Sequence, residues 1–291
     1  MKKFTLLMAT VLLYMAAKAQ DSTEVAKEKR DTIRIGNIII VKKGKRIENA
    51  DSSVSVTLGR KPKYNSKVST NWFIIDFGFA NYIDKTDYTN TGSYLVNRPG
   101  YPDFDKSDFK LRAGKSVNVN IWFVMQRLSL IKNYVNLKYG IGLELNNYRY
   151  KAPLSYREGG VIPYSAGLQT NKPFIFRDSI AFSKNKLAAD YLTVPLMLNF
   201  TSHPNSGNKG IRVSAGVSAG YLYSQRNKQK SDARGKDKNK GEYDMERFKL
   251  SYIAELGLGP VKLYGSYSPK SMYEHSLDIR PFTVGFRFGN L

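Results

Sequence analysis

The chain has 291 residues, a net charge of +22 and no cysteine. The lack of cysteine excludes a disulfide framework and thiolate zinc sites, and no uninterrupted apolar run reaches the roughly eighteen residues of a membrane-crossing helix. Frequent Gly, with 20 Tyr and 15 Phe, suits a protein held together by backbone pairing and aromatic packing.

The chain opens as a secretory signal. Lys2 and Lys3 precede the apolar stretch Phe4 to Ala16, and Ala17-Lys18-Ala19 forms a small-residue cleavage site, so residues 1–19 are expected to be removed. Loss of Lys2, Lys3 and Lys18 takes the charge from +22 to +19. Export removes nucleic acid as a partner. The nearer partners of an exported basic surface are outer-membrane lipid and the phosphates of lipopolysaccharide.

Residues 20–70 carry twelve Lys or Arg and six Asp or Glu. Two β-like runs stand out, Ile33 to Val41 and Ser53 to Leu58. The segment reads as a periplasmic extension, partly disordered, with a marginal hairpin. The alternative is a segment that docks on a periplasmic or envelope protein by adding a strand.

From Asn71 a period of two takes over, and eight strands are expected within 71–291. The first sets Phe73, Ile75, Phe77 and Phe79 against Asp76 and Gly78. The second sets Val117, Val119, Ile121, Phe123 and Met125 against Asn118, Asn120 and Gln126. In the third, Val135, Leu137, Tyr139, Ile141, Leu143 and Leu145 oppose Asn136, Lys138, Gly140, Gly142, Glu144 and Asn146. The fourth opposes Leu192, Val194, Leu196, Leu198 and Phe200 to Asp190, Thr193 and Asn199, with Pro195 as a fault in the ladder. The fifth covers Ile211 to Tyr223, the sixth Phe248 to Leu258, the seventh Val261 to Tyr267 and the eighth Phe282 to Phe288.

Connections alternate long (81–114, 151–185, 226–246, 269–278) and short (130–133, 202–209, 259–260). This is the pattern of an all-β, eight-stranded antiparallel up-and-down transmembrane barrel, with long outer loops and both termini periplasmic. A soluble barrel has the same period. The Gly- and Ser-rich polar face, the strand lengths and the aromatics near strand ends favour an apolar face turned to lipid. The polar face then lines a narrow lumen, where charges need partners. Asp76, Lys138, Glu144, Asp190, Arg212, Lys249, Glu255, Lys262 and Arg287 are expected to form that network.

The stretch Tyr191-Leu-Thr-Val-Pro-Leu-Met-Leu-Asn-Phe200, placed before a short turn and a Gly-rich strand, resembles the PorT-like outer-membrane β-barrel family. So do Ala17-Lys18-Ala19-Gln20 and the last strand, Phe282-Thr-Val-Gly-Phe-Arg-Phe288. The resemblance covers about residues 71 to 291. It implies an OmpA/OmpX-type barrel in the outer membrane of a Gram-negative bacterium, and one member type serves a secretion apparatus. Such barrels often end on an aromatic residue read by the insertion machinery. Here the last residue is Leu291 and the nearest aromatic is Phe288, which displaces that signal.

The chemistry-bearing positions are few. The expected third outer loop carries seven bases, Arg226, Lys228, Lys230, Arg234, Lys236, Lys238 and Lys240, and reads as a solvated loop or as a contact for anionic phosphates. Tyr82, Tyr88, Tyr94, Tyr101, Tyr156 and Tyr164 in the other loops either anchor a partner or pack the loops on themselves. His275, beside Glu274, Ser276 and Asp278, is the one place where a Ser–His–carboxylate set is conceivable. No metal or cofactor pattern is present. The expected function is non-enzymatic: a structural or binding role in the envelope, with a link to protein secretion implied by the resemblance. A narrow channel for small solutes and a lipid-A-modifying enzyme are the alternatives.

Overall fold

A computed structural model describes residues 67–204, 210–259 and 261–289, together with the short strands Thr32–Ile35, Ile38–Val41 and Val56–Thr57. The chain divides into two units, Met1–Asn65 and Ser66–Leu291. In the first, the three short strands pair antiparallel, Thr32 opposite Val41 and Ile39 opposite Thr57. The expected signal peptide lies outside the described residues.

Among the described residues, the main sheet of the second unit has nine strands: β1 (Val68–Asp84), β2 (Val117–Ile131), β3 (Val135–Arg149), β4 (Lys184–Thr201), β5 (Ile211–Ser231), β6 (Gly235–Lys240), β7 (Phe248–Leu258), β8 (Val261–Tyr267) and β9 (Ile279–Phe288). Eight of them close into an antiparallel ring, β4-β3-β2-β1-β9-β8-β7-β5, with β4 and β5 pairing to seal it. The ninth, β6, pairs with β5 alone. Long connections leave one end of the ring, called here the loop end; 132–134, 202–210 and 259–260 join strands at the turn end.

Period-two alternation decides the faces. Phe77, Phe79, Leu196, Leu198, Leu250 and Phe286 are exposed on the outside, while Asp76, Asn118, Lys138, Glu144, Ser214 and Arg287 are buried within. An antiparallel strand can serve two environments in this way because successive side chains point oppositely. Glycines make room inside: a Cβ on Gly142 would lie 2.7 Å from the Trp122 ring.

The expected faces of β2 fail beyond a β-bulge. The β2–β3 register shifts between Trp122 and Val124, which leaves Phe123 without a partner. Opposite it, Phe73 adopts a positive φ of 54°, unusual for a bulky side chain. Trp72 and Phe73 consequently both face outward, and Met125, expected on the outer face, is instead buried with Ile74, Trp122 and Met197 inside the ring. Pro195 behaves as its chemistry requires. The β4–β3 ladder is interrupted at Val194 and Pro195 and resumes at Leu196, opposite Tyr139.

At the loop end the connections fold inward. Leu154–Arg157 pairs antiparallel with Phe174–Arg177, which also pairs parallel with Leu95–Val96. This small sheet contributes Leu95, Leu154, Tyr156 and Ile175 to a core shared with Tyr148, Leu187, Tyr191 and Leu222 of the ring strands and with Tyr243 and Tyr273.

Candidate functional site

The lumen is occupied by one connected polar network. Arg287 holds Asp76 through Nε at 2.6 Å and Nη2 at 2.8 Å, and its Nη1 meets Glu255. Glu255 also takes Lys138, and Glu144 takes Lys249. Asn120 and the Trp122 indole donate to Asp76 at 3.2 and 2.7 Å. Asn118 donates to Asn120 and Asn146, and Asn146 donates to Glu144 at 3.0 Å, so the two ion-pair groups are joined. Three acids and three bases therefore balance, each with hydrogen-bonded partners, which is the condition under which buried charges are tolerated. The space left beside them, bordered by Asp76, Glu144, Met197 and Tyr264, is about 30 Å³, room for roughly two waters.

Of the nine expected network residues, Asp76, Lys138, Glu144, Lys249, Glu255 and Arg287 meet in this cluster. Arg212 and Lys262 face inward near the turn end, on either side of Gly257, and Lys262 donates to the Gly289 carbonyl. Asp190 is a correction. It lies opposite Leu145 and in phase with Leu192, which puts it on the outer face of β4, where it pairs with Arg226. The expectation took Asp190 in phase with Thr193, an odd-numbered spacing that alternation does not allow. Asn118, Asn120 and Asn146, expected on the polar face but outside the charge network, join it, as do Trp122 and Tyr264, which alternate with outward residues of their own strands.

The expected third loop is largely strand. β5 continues to Ser231, turns at 232–234 and returns as β6. Arg226 stands opposite Lys240, Lys228 opposite Lys238 and Lys230 opposite Lys236, so six of the seven bases share one face. Arg234 does not join them: in the turn, it pairs with the buried Asp178 at 2.7 Å. The other face of the hairpin is fixed to the loop sheet. Gln229 Nε2 donates to the Leu154 carbonyl at 3.0 Å and Asn239 Nδ2 to that of Tyr156 at 2.7 Å.

Three further cations continue the basic face. Lys184 lies opposite Lys230, Lys186 lies opposite both Lys228 and Arg149, and Lys186 donates to Asn147 at 2.5 Å. Burial and the neighbouring cations Lys228, Lys184, Arg226 and Arg149 push the Lys186 amine down to about 8. Lys228 is lowered by burial and by Arg226, Lys238 and Lys184. These groups lie beyond Tyr221, Tyr223 and Phe248, where the outward apolar residues of the neighbouring strands end. The signal in the sequence was the phase: Lys184 and Lys186 are even-numbered like Leu192, and Arg149 is odd-numbered like Leu143.

The His275 neighbourhood does not assemble a nucleophile. His275 Nδ1 meets Asp244 at 2.9 Å, and Asp244 also accepts the backbone N–H groups of His275 and Ser276. The imidazole pKa is raised by that hydrogen bond and by the carboxylate's charge. Asp244, Glu274 and His275 approach within 4.8 Å of one another, yet Asp244 has both oxygens committed. Of the tyrosines expected in the loops, Tyr94 and Tyr156 are buried, and Tyr82, which lies in β1, and Tyr88 pack against the same core. Tyr101 and Tyr164 are exposed, with the Arg98 guanidinium 4.3 and 6.0 Å from their rings.

The family model described as outer membrane protein beta-barrel domain matches residues 105–288. The chain belongs to this family, and membership places it in the outer membrane of a Gram-negative bacterium. Among solved structures it is similar to Ail, the attachment invasion locus protein of Yersinia pestis, crystallised with the heparin analogue sucrose octasulfate. Identity is 12%, the match covers 76% of this chain and 97% of that one, and the TM-score is 0.30. Comparison with curated proteins gives no match.

Proposed function

We propose that this protein is a non-enzymatic, eight-stranded outer-membrane barrel of the PorT-like type that works through its surfaces. One observation carries the reading: the ring is stoppered twice. The Asp76–Arg287–Glu255–Lys138 group fills the lumen, and the core around Tyr150, Tyr156 and Tyr273 closes the loop end. A barrel without a passage acts by what it holds at its ends. The folded loops face the cell exterior and meet lipopolysaccharide. Both termini lie in the periplasm after removal of residues 1–19. The segment 20–70 reaches a periplasmic or envelope partner, and a role in protein secretion follows from the PorT-like resemblance.

Planar-bilayer recording of the refolded protein tests the stoppered ring. Steady conductance should be no greater than that of protein-free bilayers, whereas discrete open levels would favour a solute channel. Lipid A mass spectra from cells with wild-type protein and with His275→Ala should be identical. The Asp244 contacts of His275, with Ser276 offering its backbone N–H, support that outcome.

A further inference from the structure

We propose that the outward cationic face of β3, β4, β5 and β6 is a lateral seat for the headgroup phosphates of neighbouring lipopolysaccharide. The inference rests on the outer-leaflet orientation of the loops stated above.

Register builds the face. Its central row runs Arg149, Lys186, Lys228, Lys238 across four adjacent strands. A second row holds Lys184, Lys230 and Lys236, and a third holds Arg226 and Lys240. Neighbours are about 4.8 Å apart across strands and about 6.8 Å apart along them. Like charges directly opposite one another destabilise a sheet, so such a lattice is held at a cost that a bound anion removes. Asp190 lies on the same face but is already paired with Arg226. The two acids of the hairpin offer no relief: Asp237 stands opposite Gln229 on the inner face, and Asp232 is in the turn.

Position selects the occupant. The same face of the same strands is apolar nearer the turn end, where Leu192, Val217 and Tyr221 meet lipid, and becomes cationic beyond Tyr223. An anion seated there is continuous with the annular lipid, as a headgroup is and as a soluble polymer is not. The inner face is already taken by Leu154 and Tyr156, so the seat is reached sideways. The lowered Lys186 amine agrees: burial first, and then its cationic neighbours, disfavour its charge, and a seated phosphate relieves the second of these.

The test uses full-length protein refolded in detergent, with lipid A binding read by native mass spectrometry. Wild type should hold bisphosphorylated lipid A. The triple variant Lys186→Gln, Lys228→Gln, Lys238→Gln should bind about a hundredfold more weakly, at about 1 kcal/mol per lysine near an anionic surface. The triple arginine variant should keep the affinity, since charge is retained. Equal binding of dephosphorylated lipid A would overturn the proposal. Binding of soluble sulfated oligosaccharide with none of lipid A would overturn the lipid source. Orientation is checked separately. The chain has no native cysteine, so Lys236→Cys in intact cells reports on one site. Labelling by an impermeant maleimide supports the loop orientation; labelling only after permeabilisation defeats that reading whatever the binding result.

Discussion

The two halves of the interior solve the same burial problem with opposite chemistry. Toward the turn end the lumen is ionic, with Arg287 between Asp76 and Glu255. Toward the loop end it is aromatic, with Tyr148, Tyr150, Tyr156 and Tyr191 packed together. The outside changes in step. In the orientation proposed above, lipid surrounds the ionic half, whose apolar residues face out, and water surrounds the aromatic half, where apolar residues face in and lysines face out. One chain is therefore an inverted protein in the bilayer and an ordinary one above it. The crossover lies near Tyr191, whose ring sits 4.5 Å from the Lys249 amine.

The largest expected effect is in the ionic half. Arg287→Met leaves the buried Asp76 without a counter-ion and Glu255 with Lys138 alone, and should cost about 3–5 kcal/mol, measured by urea unfolding of the detergent-folded protein. A loss below about 1 kcal/mol would mean that water enters the lumen and the two halves are less distinct than drawn. Next comes Gly142→Ala, which presses a methyl toward the Trp122 ring at 2.7 Å. Overpacking of this kind should cost about 1–3 kcal/mol in the same measurement.

A smaller, local change is expected in the aromatic half. The Tyr156 hydroxyl joins those of Tyr150 at 2.7 Å and Tyr273 at 3.1 Å. Tyr156→Phe should cost about 0.5–1.5 kcal/mol, seen as faster hydrogen exchange in 154–157 with ring strands unchanged. Faster exchange throughout the ring strands would show that cap and ring unfold as one unit. Smallest is the His275–Asp244 contact. The folded imidazole pKa lies above its unfolded value of 6.5. Its stabilisation is therefore full below pH 6.5 and fades as pH rises through the folded pKa. NMR should place the His275 midpoint above 6.5, and Asp244→Asn should return it toward 6.5.

The ring strands and their two faces were legible because membrane strands must alternate, and each polar position repeats two residues on. What escaped has a physical reason. A bulge at Phe123 reverses the phase and turns Met125 inward, yet nothing in the run Val117 to Ile131 announces it. Segment 226–246 lacks apolar alternation and so looked like a loop, although Arg226-x-Lys228-x-Lys230 and Lys236-x-Lys238-x-Lys240 carry the same period in charge. The inward-folded cap was half visible: the loop tyrosines were evident, but their common core depends on pairing between segments as distant as Leu95 and Ile175.

β5 has one further consequence. Along its outer face, Ile211, Val213, Ala215, Val217, Ala219 and Tyr221 give way to Arg226, Lys228 and Lys230. A slip by one residue would exchange the two faces, and a slip by two would move the strand about 6.8 Å, dragging a guanidinium into hydrocarbon or lifting a tyrosine out of it. The strand thus works as a depth gauge that fixes how far the protein sits in the bilayer, a constraint its neighbours inherit through the ladder.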